Sequence, residues 1–149
     1  MNLRPARAAD VADLALVAQR SYQSAFVDIL ENETLESRDA AFFDERFAGS
    51  VESLTMAEDG GKAIGFLLLT ERHIDMLFVD PAFAGKGVGA LLLAHAERMG
   101  ARSLECFRDN HAARRFYERH GWQLAQSYDR DFAGRSRSFV SYVKGESAA

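Results

Sequence analysis

Three glycines at alternate positions, Gly85, Gly87 and Gly89, stand directly ahead of the leucines in AGKGVGALLL. A loop that opens a helix presents unpaired backbone N–H groups and the positive end of the helix dipole, so this stretch suits a phosphate without needing a charged side chain. Glycine serves there because a Cβ would hold the ligand's oxygens off the backbone. Other residues are suited to moving protons. Glu71, His73 and Asp75 alternate along one stretch, which puts them on one strand face together with Leu77 and Val79. Tyr117 is a phenol that keeps its proton up to a pKa of about 10. The plain alternatives are polar residues near a strand end for the first group, and packing beside Phe116 for Tyr117.

For these groups to meet, the chain must join a strand end, a helix start and a second helix. Residues 2–7 read as a short strand, and residues 9–25 carry Val11, Leu14, Val17, Tyr22 and Ala25 on one helical stripe. Residues 29–47 hold Leu35, Phe42, Phe43 and Phe47 in a polar background, which fits one or two helices ending at Gly49. Residues 54–57 and 63–70 flank Asp59-Gly60-Gly61-Lys62, a turn that tolerates positive φ, and form a β-hairpin. Its second arm, AIGFLLLT, is apolar on both faces, as a central strand is. Residues 74–79 give a further strand, which leads through Asp80-Pro81 into the glycine loop and a helix from Val88 that stops at Gly100. Residues 103–107 are the next strand. Asn110 caps a helix that Gly121 ends, with Ala113, Phe116, Tyr117 and His120 on one face. Residues 122–128 and 138–143, joined around Asp131-Phe132-Ala133-Gly134, form a closing antiparallel hairpin.

The composition sets outer bounds. A chain of 149 residues with 48% hydrophobic content fits one domain over residues 1–145, with a flexible tail at 146–149. A net charge of −4 and no Lys/Arg run longer than Arg114-Arg115 argue against a nucleic-acid partner. Arg114-Arg115 reads as a solvated helix face, with a ligand phosphate as its alternative use. No apolar run reaches the length of about 20 residues that crosses a bilayer, and the first residues lack a basic-then-apolar signal pattern, so a cytoplasmic protein is expected. The single Cys106 alternates with Leu104 and reads as a small buried hydrophobe rather than a nucleophile. One thiol cannot form an internal disulfide or a multi-thiolate site, and His95, His111 and His120 lack ligand spacing, so no metal is expected.

The loop admits several readings. A P-loop needs Ser or Thr after Gly-Lys, and here Gly87 follows Lys86. Residues 85–90 do fit the dinucleotide pattern G-x-G-x-x-G/A, but that pattern belongs to the first βα turn of a doubly wound sheet, and this loop lies mid-chain after a hairpin. A turn that merely packs helix on strand is the third reading.

What surrounds the loop carries a resemblance. LFVDPAFAGKGVGALLL followed by DNHAARRFYERHGW resembles the GCN5-related N-acetyltransferase (GNAT) family, as does the opening RPARAADVADLALV. In that family a strand leads to a Gln/Arg-x-x-Gly-x-Gly/Ala loop capping a helix, and an Asn-x-x-Ala-x-x-x-Tyr-x-x-x-Gly segment follows the next strand. The resemblance implies an α/β (α+β) fold with a mixed, mostly antiparallel sheet of six to seven strands and about four helices. It implies that Gly85, Lys86, Gly87, Val88 and Gly89 hold the pyrophosphate of acetyl-CoA. It implies further that Leu77 and Val79, with Phe78 between them, offer main-chain groups to the pantetheine arm where two strands splay. Asn110, Ala113 and Phe116 would complete the cofactor site, with Asn110 near the thiol end. Tyr117 corresponds to the family's general acid, and the strand of His73 and Asp75 to the place where a base is often found. Two positions depart from the pattern: Ala84 replaces the usual Gln or Arg at the head of the loop, and Trp122 replaces the common Phe.

The activity so implied is transfer of acetyl from acetyl-CoA, a cosubstrate, to a primary amine. A lysine-like amine of pKa about 10.4 must shed a proton before it attacks, and the departing thiolate must gain one. Tyr117 suits the second transfer; His73, or Asp75 through water, suits the first. Residues 27–47 and 132–137 would shape the acceptor pocket, where Asp28, Glu31, Glu33 and Asp129 would favour a cationic amine. A monomer or homodimer is expected. A catalytically silent CoA-binding module and an NAD(P)-dependent oxidoreductase are the alternatives.

Overall fold

The computed structural model describes residues 1–145; the tail expected at 146–149 lies outside the described residues. β1 (Asn2–Pro5) enters a single 3-10 turn at Ala8–Asp10, where the Asp10 carboxylate accepts the Arg7 N–H at 2.8 Å and both Arg4 terminal nitrogens at 2.8 and 2.9 Å. α1 (Val11–Phe26) follows, burying Leu14, Val17, Ala18 and Tyr22 at helical spacing. The polar stretch after it folds into α2 (Asn32–Ser37) and α3 (Ala40–Ala48), the latter capped by Asp39 accepting the Phe42 N–H at 2.9 Å. β2 (Leu54–Asp59) and β3 (Lys62–Thr70) make the expected hairpin around Gly60 and Gly61, both at positive φ. Then come β4 (His73–Val79), α4 (Val88–Arg98), β5 (Ser103–Phe107), α5 (His111–Arg119), β6 (Gln123–Phe132) and β7 (Arg135–Val143).

The strands form one sheet in the order β1-β2-β3-β4-β5-β7-β6. Every neighbouring pair is antiparallel except β4 and β5, so the mixed, mostly antiparallel sheet is as expected, with seven strands and five helices. α1 to α3 cover one face over Phe43, Phe47, Phe66 and Leu68. α4 and α5 cover the other over Ile64, Leu67, Leu92, Leu93 and Trp122. The doubly apolar β3 is explained by this: it has a helix layer on each side.

Two readings of the strands are corrected. The closing hairpin is longer than expected, because Ala133 (φ 51°) and Gly134 (φ 81°) alone make the turn and the ladder runs to Phe132↔Arg135. Its polar residues hid this; β6 is an edge strand and is exposed along most of its length. In β4 the expected alternation fails. The β3 ladder steps from Leu68↔Met76 to Leu69↔Ile74, leaving Asp75 unpaired as a bulge. Ile74 therefore joins Leu77 and Val79 on the α4 face, while Met76 and Phe78 face α1. His73 does not share the face of Leu77, and Glu71 is not in the strand: it occupies the turn before it, at φ 56°.

Candidate active site

β4 ends at Asp80, which fixes the entry to the glycine loop. This residue is 3% exposed; its N–H donates to the Ile64 carbonyl at 2.8 Å, and its carboxylate accepts the Ala82 N–H at 3.1 Å and the Arg20 guanidinium at 2.6 Å. Burial raises its pKa, but Arg20 and the Ala82 N–H outweigh that and hold it below the ordinary carboxylate value. After the turn Pro81–Phe83, Gly85 and Gly87 take φ of 76° and 83°, and Gly87 caps α4. A Cβ on either would meet no atom within 4 Å. Their requirement is thus conformational, and it leaves the backbone bare toward open space. Gly89 serves packing instead, since a Cβ there would come 3.4 Å from the Phe116 ring; the glycine lets α5 lie against α4.

The first α-helical bond of α4 runs from the Leu91 N–H to the Gly87 carbonyl, which leaves the N–H groups of Val88, Gly89 and Ala90 pointing out of the helix start. These amides face a cavity of about 600 Å³ between the loop and α5. The Val88 side chain turns away into the core, near Gly65, and Lys86 lies over the Phe83 ring at 5.3 Å. Gly65 is a residue that sequence reasoning passed over. A Cβ on it would stand 2.9 Å from the Phe78 carbonyl and 3.2 Å from Val88, so its absence of side chain lets α4 seat on β3.

β4 and β5 pair only at His73↔Ser103 and Ile74↔Leu104 and then part. Between them opens a second cavity, of about 200 Å³, flanked by Asp75, Leu77 and Phe78 on one side and Glu105, Cys106 and Asn110 on the other. Leu77, Ala113 and Tyr117 line both this cavity and the one at the glycine loop. The two spaces meet at Tyr117. Asn110 caps α5, its side-chain oxygen accepting the Ala113 N–H at 3.2 Å.

Tyr117 is buried against Phe116, Trp122 and Tyr142, and its hydroxyl has no hydrogen-bond partner among the described residues. Burial, helped by nearby Cys106, pushes its pKa up, so it stays protonated. The same surroundings push the Cys106 thiol up to about 11. A thiol so held is not a nucleophile at neutral pH.

The residues of β4 expected to move protons are separated. His73 sits 2.8 Å from the Ser103 hydroxyl and lines a different recess, with Gln126 and Ser141. Asp75, in the bulge, does line the splay and accepts from the Thr70 hydroxyl. Sequence reasoning missed Glu105, a lone acid in the short strand SLECF. It borders the splay, accepts from the Tyr128 hydroxyl, and is paired with Arg130. Burial raises its pKa, yet Arg130 and Tyr128 outweigh it and keep Glu105 below its ordinary value. Among the described residues no cluster of His, Cys, Asp and Glu is arranged to hold a metal ion, and no helix is long and apolar enough to cross a membrane.

Comparison with known proteins gives these likenesses. A family model described as acetyltransferase (GNAT) family matches residues 18–122. The peptidyl-lysine N-acetyltransferase YjaB of Salmonella typhimurium is 29% identical over 86 residues, which take in 57% of this chain and 59% of that protein. A GCN5-related N-acetyltransferase structure from Rhodopseudomonas palustris superposes with a TM-score of 0.79 at 27% identity, covering 96% of this chain and 94% of the other. The PaiA N-acetyltransferase of Thermoplasma acidophilum, solved in complex with coenzyme A, shares the fold with a TM-score of 0.78 at 21% identity, covering 97% and 98%.

Proposed function

This chain belongs to the acetyltransferase (GNAT) family, and from that premise we propose that residues 1–145 form one catalytic domain moving acetyl from acetyl-CoA to a primary amine by direct attack. The observation that carries the proposal is the continuity of the two cavities at Leu77, Ala113 and Tyr117. The residues fit acetyl-CoA. The amides after Gly87, at the positive end of α4, suit the pyrophosphate, and they need no side chain at Ala84. Where β5 has parted from it, β4 offers main-chain groups along Leu77 to Val79 for the amides of a pantetheine arm. The thioester would then reach Tyr117.

Tyr117 acts as the acid that protonates the departing thiolate. Burial keeps the phenol protonated, and the apolar surroundings that raise it would also make a departing thiolate more basic and readier to take that proton. Asp75 and Glu105 are the carboxylates bordering the splay, and the amine's proton leaves past them through water. His73, which lines another recess, takes no part.

Thermal shift with acetyl-CoA, coenzyme A and NADH tests this, read beside thiol release with a panel of amines. We expect both coenzyme A forms to stabilise the fold, by about 2.7 kcal/mol at a hundred times Kd, NADH to do nothing, and thiol to appear. Stabilisation without thiol release would mean a silent binding module. A response to NADH alone would restore the dinucleotide reading.

A further inference from the structure

Away from Tyr117 the splay runs into an aromatic wall that includes Tyr22, Phe26, Phe132 and Phe139. Tyr22 is 7% exposed, and its buried hydroxyl makes no close hydrogen bond, although the Arg38 guanidinium is near enough to act on it as a donor. Arg38 stands beside it. Its guanidinium lies 4.3 Å from the Phe42 ring centre and 5.5 Å from that of Phe132, and it has no carboxylate partner among the described residues. It is near enough to Tyr22 to draw the phenol's pKa down against the larger, opposing effect of burial.

The two carboxylates that line the cavity, Asp75 and Glu105, lie on β4 and β5 at the splay, whereas arginines gather at the aromatic wall. Arg130 lies 4.1 Å from the Phe139 centre and is paired with Glu105; Arg137 is paired with Glu31 at 2.9 Å, and Arg135 lies 3.5 Å from the same carboxylate. Arg38 is the guanidinium left over. Phe132 and Phe139, whose faces suit an ammonium group, already carry Arg38, Arg130 and Arg137. Nor do the acids expected to attract a cation line this cavity: Glu31 is paired with Arg137, Asp129 accepts the Ser138 hydroxyl at 2.7 Å, and Asp28 and Glu33 lie outside its lining.

Resting on the acetyltransfer reading, we propose that the acceptor is a small amine carrying a carboxylate on an apolar body, with Arg38 receiving the carboxylate above the Tyr22 hydroxyl. A guanidinium takes a carboxylate by two parallel hydrogen bonds, which suits a half-buried arginine that lacks a carboxylate partner and is backed by aromatic rings.

Matched pairs test this: phenylalanine against phenethylamine, and leucine against isoamylamine, with a lysine peptide alongside. We expect kcat/KM to favour the carboxylated member of each pair by tenfold or more, the worth of about one charge-assisted hydrogen bond. Arg38→Ala should bring that ratio near one, mainly through KM, and Arg38→Lys should restore part of it. Tyr22→Phe should lower it. Retained stabilisation by coenzyme A reports that the variants are folded. A ratio near one in the native protein, a ratio unmoved by Arg38→Ala, or faster turnover of the lysine peptide would overturn the proposal. Melting shifts with N-acetylphenylalanine and N-acetylphenethylamine, with and without coenzyme A, read the carboxylate contact without turnover. If no amine releases thiol and coenzyme A gives no shift, the acetyltransfer reading fails, while a carboxylate-dependent shift abolished by Arg38→Ala would still support the anion contact.

Discussion

At the scale of single residues, the site turns on what burial does to two groups. Tyr117 is enclosed by rings and its pKa rises, so the phenol remains a donor through the whole range in which a protein is assayed. Tyr117→Phe keeps the ring and removes only the hydroxyl, and we expect kcat to fall by about a hundredfold or more while coenzyme A affinity stays nearly constant. Steady-state rates beside a binding titration check this, and an unchanged kcat would remove the acid assignment. The sign of the shift gives a second expectation. A raised phenol keeps its proton to higher pH, so any loss of kcat from Tyr117 ionising must begin above the ordinary tyrosine value of about 10, as a pH–rate profile would read. Cys106, pushed to about 11, is neutral at pH 7, and Cys106→Ala should leave turnover standing.

Elements hold these residues in place, and two of them depend on a missing side chain. Gly65 lets α4 approach β3; Gly65→Ala sets a Cβ 2.9 Å from the Phe78 carbonyl and should destabilise the protein by about 1–3 kcal/mol, as chemical denaturation would measure. Gly87→Ala meets no atom but forces an L-residue to φ 83°, at a cost of about 1–2 kcal/mol, and any shift of the loop that relieves this strain turns the α4 amides away from the ligand. The first variant should lose stability mainly, the second coenzyme A affinity as well. The β1–α1 corner carries a pH expectation. Arg4 heads the causes that hold the Asp10 carboxyl at about 2 against its ordinary 3.8. A depressed carboxyl stabilises the fold above its unfolded pKa, and that contribution fades as pH falls from about 4 toward 2. Thermal melts across that window should show Asp10→Asn with a flatter decline than the native protein.

On the scale of the whole molecule, the sheet is two antiparallel blocks joined by the short β4/β5 ladder, and the proposed ligand lies where that ladder ends. Acetyl-CoA would therefore bridge both blocks and both helices of the α4 face. We expect it to slow amide hydrogen exchange in β4, in the first turn of α4 and in α5 together, and to leave the β1–β2 pair little changed. Protection confined to the glycine loop would deny that the cosubstrate reaches the splay.

Much of this was legible in the order of residues. Apolar periodicity located α1, α4, α5 and most of the strands, and left residues 29–47 as one or two helices, because a helix stripe or an alternating strand must bury one side whatever it packs against. The glycine loop and Asn110 were legible too, since positive φ and helix caps are local demands that particular residue types meet. What the sequence leaves open is pairing. The bulge at Asp75 exists only through the β3 ladder, and it removes His73 from the face of Leu77 despite their even spacing. Glu105 and Arg130 lie on β5 and β6, two places apart in the sheet, and meet only by reaching across β7. Tyr22 and Arg38 come from separate helical regions and acquire a shared surrounding only when α1 to α3 close over the sheet. Local conformation follows from neighbours along the chain, whereas register, burial and charge pairing follow from contacts across it, and those the tertiary structure alone decides.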